Sequence, residues 1–359
     1  MAKKSTHKSA LQELKGIRQP DSISQKITQS KIKNIDINTF TNNIRKGNIS
    51  FLSRAITLIE SKKESDKKNV NTLIQSCLPY ANNSVRIGIT GVPGVGKSTF
   101  IDAFGTYLTG LGKKVAVLAI DPSSSINKGS ILGDKTRMEK LSKDKNAFIR
   151  PTPAGDSLGG IARKTKETIV LCEAAGFDII LIETVGVGQS ETLVRNMVDF
   201  FLLLKLAGSG DELQGIKRGI MEMADVIAIN KADGDNIENA KIAKTEFTRA
   251  LHLYRQKDNQ WIPKVMTCSA LNNSGIEEIW NIIEDFLQLT KGNSHFEKNR
   301  IEQNKNWLLQ NINEQLQYDF YHDKNVSKEL DKQIKNIEDQ NITPFEASQK
   351  LIEFYKKKI

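Results

Sequence analysis

Cysteine is scarce in this 359-residue chain: Cys77, Cys172 and Cys268 are far apart, each in an apolar setting. They form no disulfide framework and no thiolate cluster, and fit buried free thiols in a reducing cytoplasm. Histidine is also scarce, four in all, with no metal-ligand spacing. No apolar run approaches the ~20 residues of a membrane span. The basic start, Met1-Ala2-Lys3-Lys4, lacks the apolar centre and cleavage site of a secretory signal, and Glu13, Asp21 and the few arginines argue against a mitochondrial presequence. A net charge of +10 raises the question of nucleic acid. However, the lysine excess is spread along the chain to the Lys356-Lys357-Lys358 tail, with no aromatic–basic stacking platform, and reads as a solvated surface.

What is present is enough to fold. Hydrophobic residues make up 38% and charged residues 26%, and the length suits one domain of about 200 residues with additions. Residues 1–35 are polar and are expected to be a disordered tail. Residues 36–80 carry apolar stripes at helical spacing, from Phe40 and Ile44 through Leu52 and Ile56 to Leu73 and Cys77. Between 81 and 291 the rhythm changes to short apolar runs alternating with helical stretches. Strands are expected at 85–90, 115–120, 179–182, 200–204, 226–229 and 264–267. Helices are expected at 98–111, 159–175, 236–257 and 275–290. This is the pattern of a three-layer α/β/α fold around a mostly parallel sheet. Residues 292–359 show no strand signal. Amphipathic helices are expected at 295–322 and 343–357, with Ile301, Trp307, Leu308, Ile312 and Leu316 on one side of the first. That segment reads as an arm for dimerisation or as an intramolecular cap.

The sharpest motif is Gly91-Val92-Pro93-Gly94-Val95-Gly96-Lys97-Ser98-Thr99, a complete P-loop placed directly after a strand and before a helix. Its glycines let successive N–H groups curl round a β-phosphate, and the helix N-terminus adds its positive dipole end. Lys97 can reach the β- and γ-phosphates, and the Ser98 hydroxyl can ligate Mg²⁺. Asn230-Lys231-Ala232-Asp233 follows an apolar strand further on. The Asp233 carboxylate can accept from N1–H and the exocyclic amine of guanine, whereas adenine would leave it unpaired at a cost of roughly 1–3 kcal/mol. Ser269-Ala270-Leu271, after the last strand, corresponds to a second base-contacting loop. GTP and GDP are therefore the expected nucleotides.

Acidic residues at strand ends supply the metal side. Asp121 follows the second strand, Glu183 ends the strand through Ile182, and Asp134 lies in a Gly-containing segment suited to move with nucleotide state. For each, an N-cap or a surface charge is the plainer alternative. Lys97, Asp121, Asp134 and Glu183 are the candidate catalytic residues, and Ser98 joins the three carboxylates as a candidate Mg²⁺ ligand. Small GTPases place a water-orienting Gln directly after the glycine of Asp-x-x-Gly. Here Gln189 comes three residues after Gly186, so that role does not transfer, and slow intrinsic hydrolysis is expected.

Taken together, GVPGVGKST, IDPSSS, GSILGDKTRM, RPTPAGDSLGG, ETVGVGQSE, GSGDELQGIKRGIME, NKAD and SAL resemble the MeaB/ArgK family of SIMIBI-class GTPases, over roughly residues 40 to 290. The resemblance implies a metallochaperone-type G protein for an adenosylcobalamin-dependent acyl-CoA mutase of the methylmalonyl-CoA mutase type, coupling GTP to cofactor loading, protection or reactivation. It implies a homodimer through the C-terminal arm. It also implies a switch at 208–217, with Asp211, Gln214 and Lys217 as its candidate residues; read on its own, that Gly-rich loop equally suits a flexible connection. Neither a membrane nor a nucleic-acid partner is expected. The competing readings are an ATPase or kinase linked to lysine/arginine/ornithine transport, and a scaffold that binds nucleotide without turning it over. A metal-inserting GTPase lacks its expected Cys/His pair here. A signal-recognition GTPase lacks its Met-rich domain, the six methionines being scattered.

Overall fold

The computed structural model describes residues 36–61, 63–120, 137–152, 158–184, 189–208, 218–254 and 257–357. Asp121, Asp134, Asp211, Gln214 and Lys217 lie outside the described residues, as do residues 1–35.

Seven strands form one sheet: β1 Val85–Gly91, β2 Val115–Ile120, β3 Ala147–Thr152, β4 Ile179–Thr184, β5 Phe200–Leu206, β6 Val226–Asn230 and β7 Lys264–Thr267. Their order is β3-β2-β4-β1-β5-β6-β7 and every pairing is parallel. Parallel strands need covered faces, and β2, β4 and β6 are buried along their whole length, which is why those runs are apolar throughout. The expected β/α pattern is thus present, with one strand more than the sequence signalled. Strand β3 at the sheet edge reads AFIRPT; Arg150 reaches out of it to Glu60, at 2.5 Å from Nη2 to Oε2, and Pro151 is tolerated because β3 pairs with β2 alone among the described residues.

On one face, α4 (Lys97–Gly110) and α9 (Ile276–Gly292) bury Phe100, Phe104, Trp280, Ile283 and Phe286 over the central strands. On the other face, α7 (Arg218–Met223) and α8 (Ile237–Leu251) close over Leu203 and Ile227 with Met221 and Phe247. Helices α1 (Ile37–Arg45), α2 (Ile49–Glu60) and α3 (Glu64–Cys77) pack on α5 (Leu158–Ala174). The Asn48 side chain caps α2 by accepting from Ser50 and Phe51 N–H at 3.0 and 3.3 Å.

Beyond the sheet come α10 (His295–His322), α11 (Lys324–Glu338) and α12 (Pro344–Lys356). The first and third fall where the spacing placed them, while α11, whose stripe is Val326, Leu330, Ile334 and Ile337, was not expected. One detail is corrected. Trp307 does not share a side with Leu308, Ile312 and Leu316. It lies with Gln303 towards α5, where the Lys166 ammonium sits 5.5 Å from its ring, whereas Leu308, Ile312 and Leu316 are 60%, 46% and 57% exposed. The two sets are separated by the 100° step of the helix.

A buried ion cluster ties α10 to the sheet at the end opposite the P-loop. The Arg300 guanidinium donates to both Asp199 oxygens at 2.9 and 2.7 Å, to Asn82 O at 2.7 Å and to Ser84 O at 2.6 Å. Beside it, Arg86 pairs with Glu173 at 2.9 Å and donates its backbone N–H to Asp199 at 2.8 Å.

Candidate nucleotide site

The site is assembled at the carboxyl ends of the strands, where a doubly wound parallel sheet leaves its crevice. Strand β1 ends in Gly91, whose φ of 152° and close neighbour leave no room for a side chain: a Cβ there would stand 2.6 Å from Leu204 O. Gly96, at φ 92°, precedes α4, and a Cβ on it would stand 3.0 Å from the Asn230 amide. These two glycines let the loop turn back over the start of α4, presenting N–H groups around an anion.

The P-loop and the base loop are bonded to one another. The Asn230 amide donates to Val95 O at 2.8 Å, and Lys231 Nζ donates to Gly94 O at 2.9 Å. Asn230 Oδ1 in turn accepts from Ala270 N at 3.2 Å, so a single buried amide joins three loops. The Ser269 hydroxyl, fully buried, donates to the Asp233 carboxylate and accepts from Asn272 N at 3.2 Å. Asp233 is thereby held in one orientation, while the Leu271 side chain is 76% exposed. A fixed carboxylate of this kind suits a ligand edge that offers two N–H donors, as guanine does.

Across the P-loop lies the phosphate end. Ser98 Oγ donates to Glu183 Oε1 at 3.3 Å, and Thr184 donates to Thr90 at 2.7 Å beneath them. Lys97 Nζ rests on Gly91 O at 2.7 Å and Val92 O at 3.3 Å. Burial pushes its ammonium below the ordinary lysine value, and the Glu183 and Glu191 carboxylates pull it back up. A cleft of about 490 Å³ opens over these groups, lined by Gly94, Lys97, Ser98, Glu183, Arg137 and Lys231 among others.

Thus Lys97, Ser98, Glu183 and Lys231 line one cleft, and Asn230, Asp233, Ser269 and Ala270 form a bonded base loop tied to the P-loop through Asn230 and Lys231. Two residues went unnoticed in the sequence. Arg137 lines the cleft and belongs to GSILGDKTRM, where its only signal was a cation following Asp134. Glu191, in ETVGVGQSE, is 2% exposed in the first turn of α6 (Gln189–Arg195), and a carboxylate beside an apolar Val194 gave no hint of its proximity to Lys97.

Comparison with known proteins points to one family. The family model described as methylmalonyl-CoA mutase-associated GTPase MeaB matches residues 52–325. The GTPase ArgK of Escherichia coli is 44% identical over 311 residues, covering 87% of this chain and 94% of that protein. The mitochondrial methylmalonic aciduria type A homolog of Mus musculus is 42% identical over 321 residues, covering 87% of this chain and 77% of that one. The crystal structure of a LAO/AO transport system kinase superposes with a TM-score of 0.72 at 37% identity, covering 90% of this chain and all of that one. This chain belongs to the MeaB family of methylmalonyl-CoA mutase-associated GTPases, and it is a GTP-hydrolysing enzyme.

Proposed function

We propose that this GTPase serves an adenosylcobalamin-dependent acyl-CoA mutase, and that GTP binding and hydrolysis gate the loading, protection or reactivation of the mutase's cofactor. The family membership and the names of its relatives support this reading. The observation that carries the nucleotide part is the Ser269–Asp233 contact, which fixes a carboxylate for a guanine edge in a base loop bonded to the P-loop that carries Lys97.

The Ser98 hydroxyl and Glu183 carboxylate, 3.3 Å apart at the phosphate end, are the hard oxygen donors that Mg²⁺ takes, so the residues present fit that ion. When bound, Mg²⁺ supplies charge neutralisation on the phosphates. Asp121 and Asp134 are proposed to join this centre by family resemblance, and Asp211, Gln214 and Lys217 to form the switch that the mutase reads.

Residues 292–359 are proposed as a dimerisation arm. The exposed stripe Ile301, Leu308, Ile312 and Leu316 on α10 supports it. Light scattering at micromolar concentration should give twice the 40.1 kDa chain mass; a monomer with and without GDP would sink the dimer. The three buried thiols suit a cytoplasmic setting. The transport-kinase reading has in its favour the likeness to a LAO/AO transport system kinase, but a held Asp233 disfavours adenine. Binding to a purified mutase of this class tests the proposal: a non-hydrolysable GTP analogue and GDP should give different affinities. No binding in either state would refute it.

A further inference from the structure

Among the described residues, three cationic side chains line the cleft: Lys97, Lys231 and Arg137. Two of them are committed. Lys97 lies along the P-loop carbonyls of Gly91 and Val92, and Lys231 is bonded to Gly94 O on the base side. Arg137 makes no hydrogen bond or ion pair among the described residues, and its side chain is exposed to the cleft.

Topology says which end of the nucleotide Arg137 faces. The base loops follow β6 and β7, on one side of β1 in the sheet. The tips of β2 and β4, with Ala119, Ile120, Glu183 and Thr184, line the cleft on the other side of β1. Arg137 lines the same cleft as these tips and as Lys97 and Ser98, and so stands on the phosphate side.

Its backbone is also fixed relative to the P-loop helix. Met138, the next residue, is fully buried in the core. Three residues later Leu141 N donates to Asp102 of α4 at 2.8 Å, and the Leu141 side chain presses on Gly105 so closely that a Cβ there would stand 2.5 Å away. Arg137 is thus an uncommitted guanidinium on a rigid mount beside the place where charge develops during phosphoryl transfer.

We propose that Arg137 is a catalytic residue of GTP hydrolysis, an arginine supplied by the chain itself that stabilises the transferring γ-phosphoryl group. In that step the water oxygen forms a new bond to the γ-phosphorus. The bond from γ-phosphorus to the β–γ bridging oxygen breaks, and its electron pair stays on GDP. The proton lost by the water ends on the released phosphate. Arg137 exchanges no proton; its planar fork donates hydrogen bonds to the equatorial and bridging oxygens as their charge grows. The chain then supplies its own transition-state cation, a role distinct from the water-orienting one that does not transfer to Gln189. This rests on the GTPase activity of the family and goes beyond it by naming the residue.

The test uses the full chain and its Arg137→Ala and Arg137→Lys variants, with melting temperature as the check on folding. An arginine acting in the transition state predicts that kcat for GTP falls roughly 10²-fold or more in Arg137→Ala. Affinity for GDP and for a non-hydrolysable GTP analogue should change by less than about threefold. Arg137→Lys should remain nearly as slow as Arg137→Ala, because a point charge lacks the fork. Aluminium fluoride should tighten GDP binding in the unmodified chain and fail to do so in both variants. The proposal is overturned if kcat is unchanged. It is equally overturned if nucleotide affinity falls in step with kcat, which would make Arg137 a ground-state phosphate binder. If the unmodified chain showed no turnover, the GTPase reading itself would be at fault, and the aluminium fluoride comparison would still decide for or against Arg137.

Discussion

Replacing Arg300 by Met should destabilise the fold severely while sparing the nucleotide site. Arg300 and Asp199 are 8% and 3% exposed, so the pair is out of water. Removing the guanidinium takes two charge-assisted bonds from the Asp199 carboxylate, which keeps only the Arg86 N–H at 2.8 Å. Breaking a buried pair by removing one partner costs about 3–5 kcal/mol. The stranded Asn82 and Ser84 carbonyls push the loss towards the upper end of that range. Against a total of roughly 5–15 kcal/mol for a folded protein, that is a large share. Urea denaturation followed by tryptophan fluorescence should show it, with the Asp199→Asn/Arg300→Met double variant closer to the unmodified chain than Arg300→Met alone. GDP affinity should hold, because the cluster sits at the opposite strand ends from the cleft. A loss below about 1 kcal/mol, or strictly additive single effects, would refute the reasoning.

Two further outcomes follow from other parts of the molecule. Asp233→Asn gives up two bonds to a charged acceptor, about 3 kcal/mol or roughly 10²-fold in GTP affinity, and should favour XTP, whose C2 carbonyl accepts from the new amide; unchanged GTP binding by titration calorimetry would mean that the carboxylate does not read the base. Lys166, buried near Arg86, has its ammonium lowered from the ordinary 10.5 to about 8, burial being the larger cause. Between those values the unfolded chain holds a proton that the native one lacks, so this group makes stability rise with pH above about 8. Lys166→Met should flatten that rise in unfolding curves taken from about pH 7.5 to 9.5, and an identical slope in both proteins would contradict the assignment.

Much of the fold was legible because parallel strands buried on both faces leave continuous apolar runs, as in Ile179–Ile182 and Val226–Ile229. Strand β3 was not, because an edge position lets Arg150 and Pro151 interrupt its pattern. Helix α11 was missed although Val326, Leu330, Ile334 and Ile337 recur at helical spacing; lying outside the main core, it buries only Val326 and Gln333. In the site, motifs whose chemistry depends on contiguous backbone, such as Gly91 to Ser98, were readable. Arg137 and Glu191 were not, since their importance comes from which loop ends the sheet order brings together. The stripe on α10 shows the same limit: apolar spacing located the helix, but only packing against α5 distinguished the Trp307 side from the Leu308 side.

The central claim is that this chain is a GTPase answering to a mutase. The most direct measurement is the rate of GTP hydrolysis with and without a purified adenosylcobalamin-dependent acyl-CoA mutase from the same source, with ATP as the control nucleotide. The account predicts slow GTP turnover that the mutase accelerates strongly, and no comparable turnover of ATP. GTP hydrolysis indifferent to the mutase, or equal hydrolysis of ATP, would contradict it.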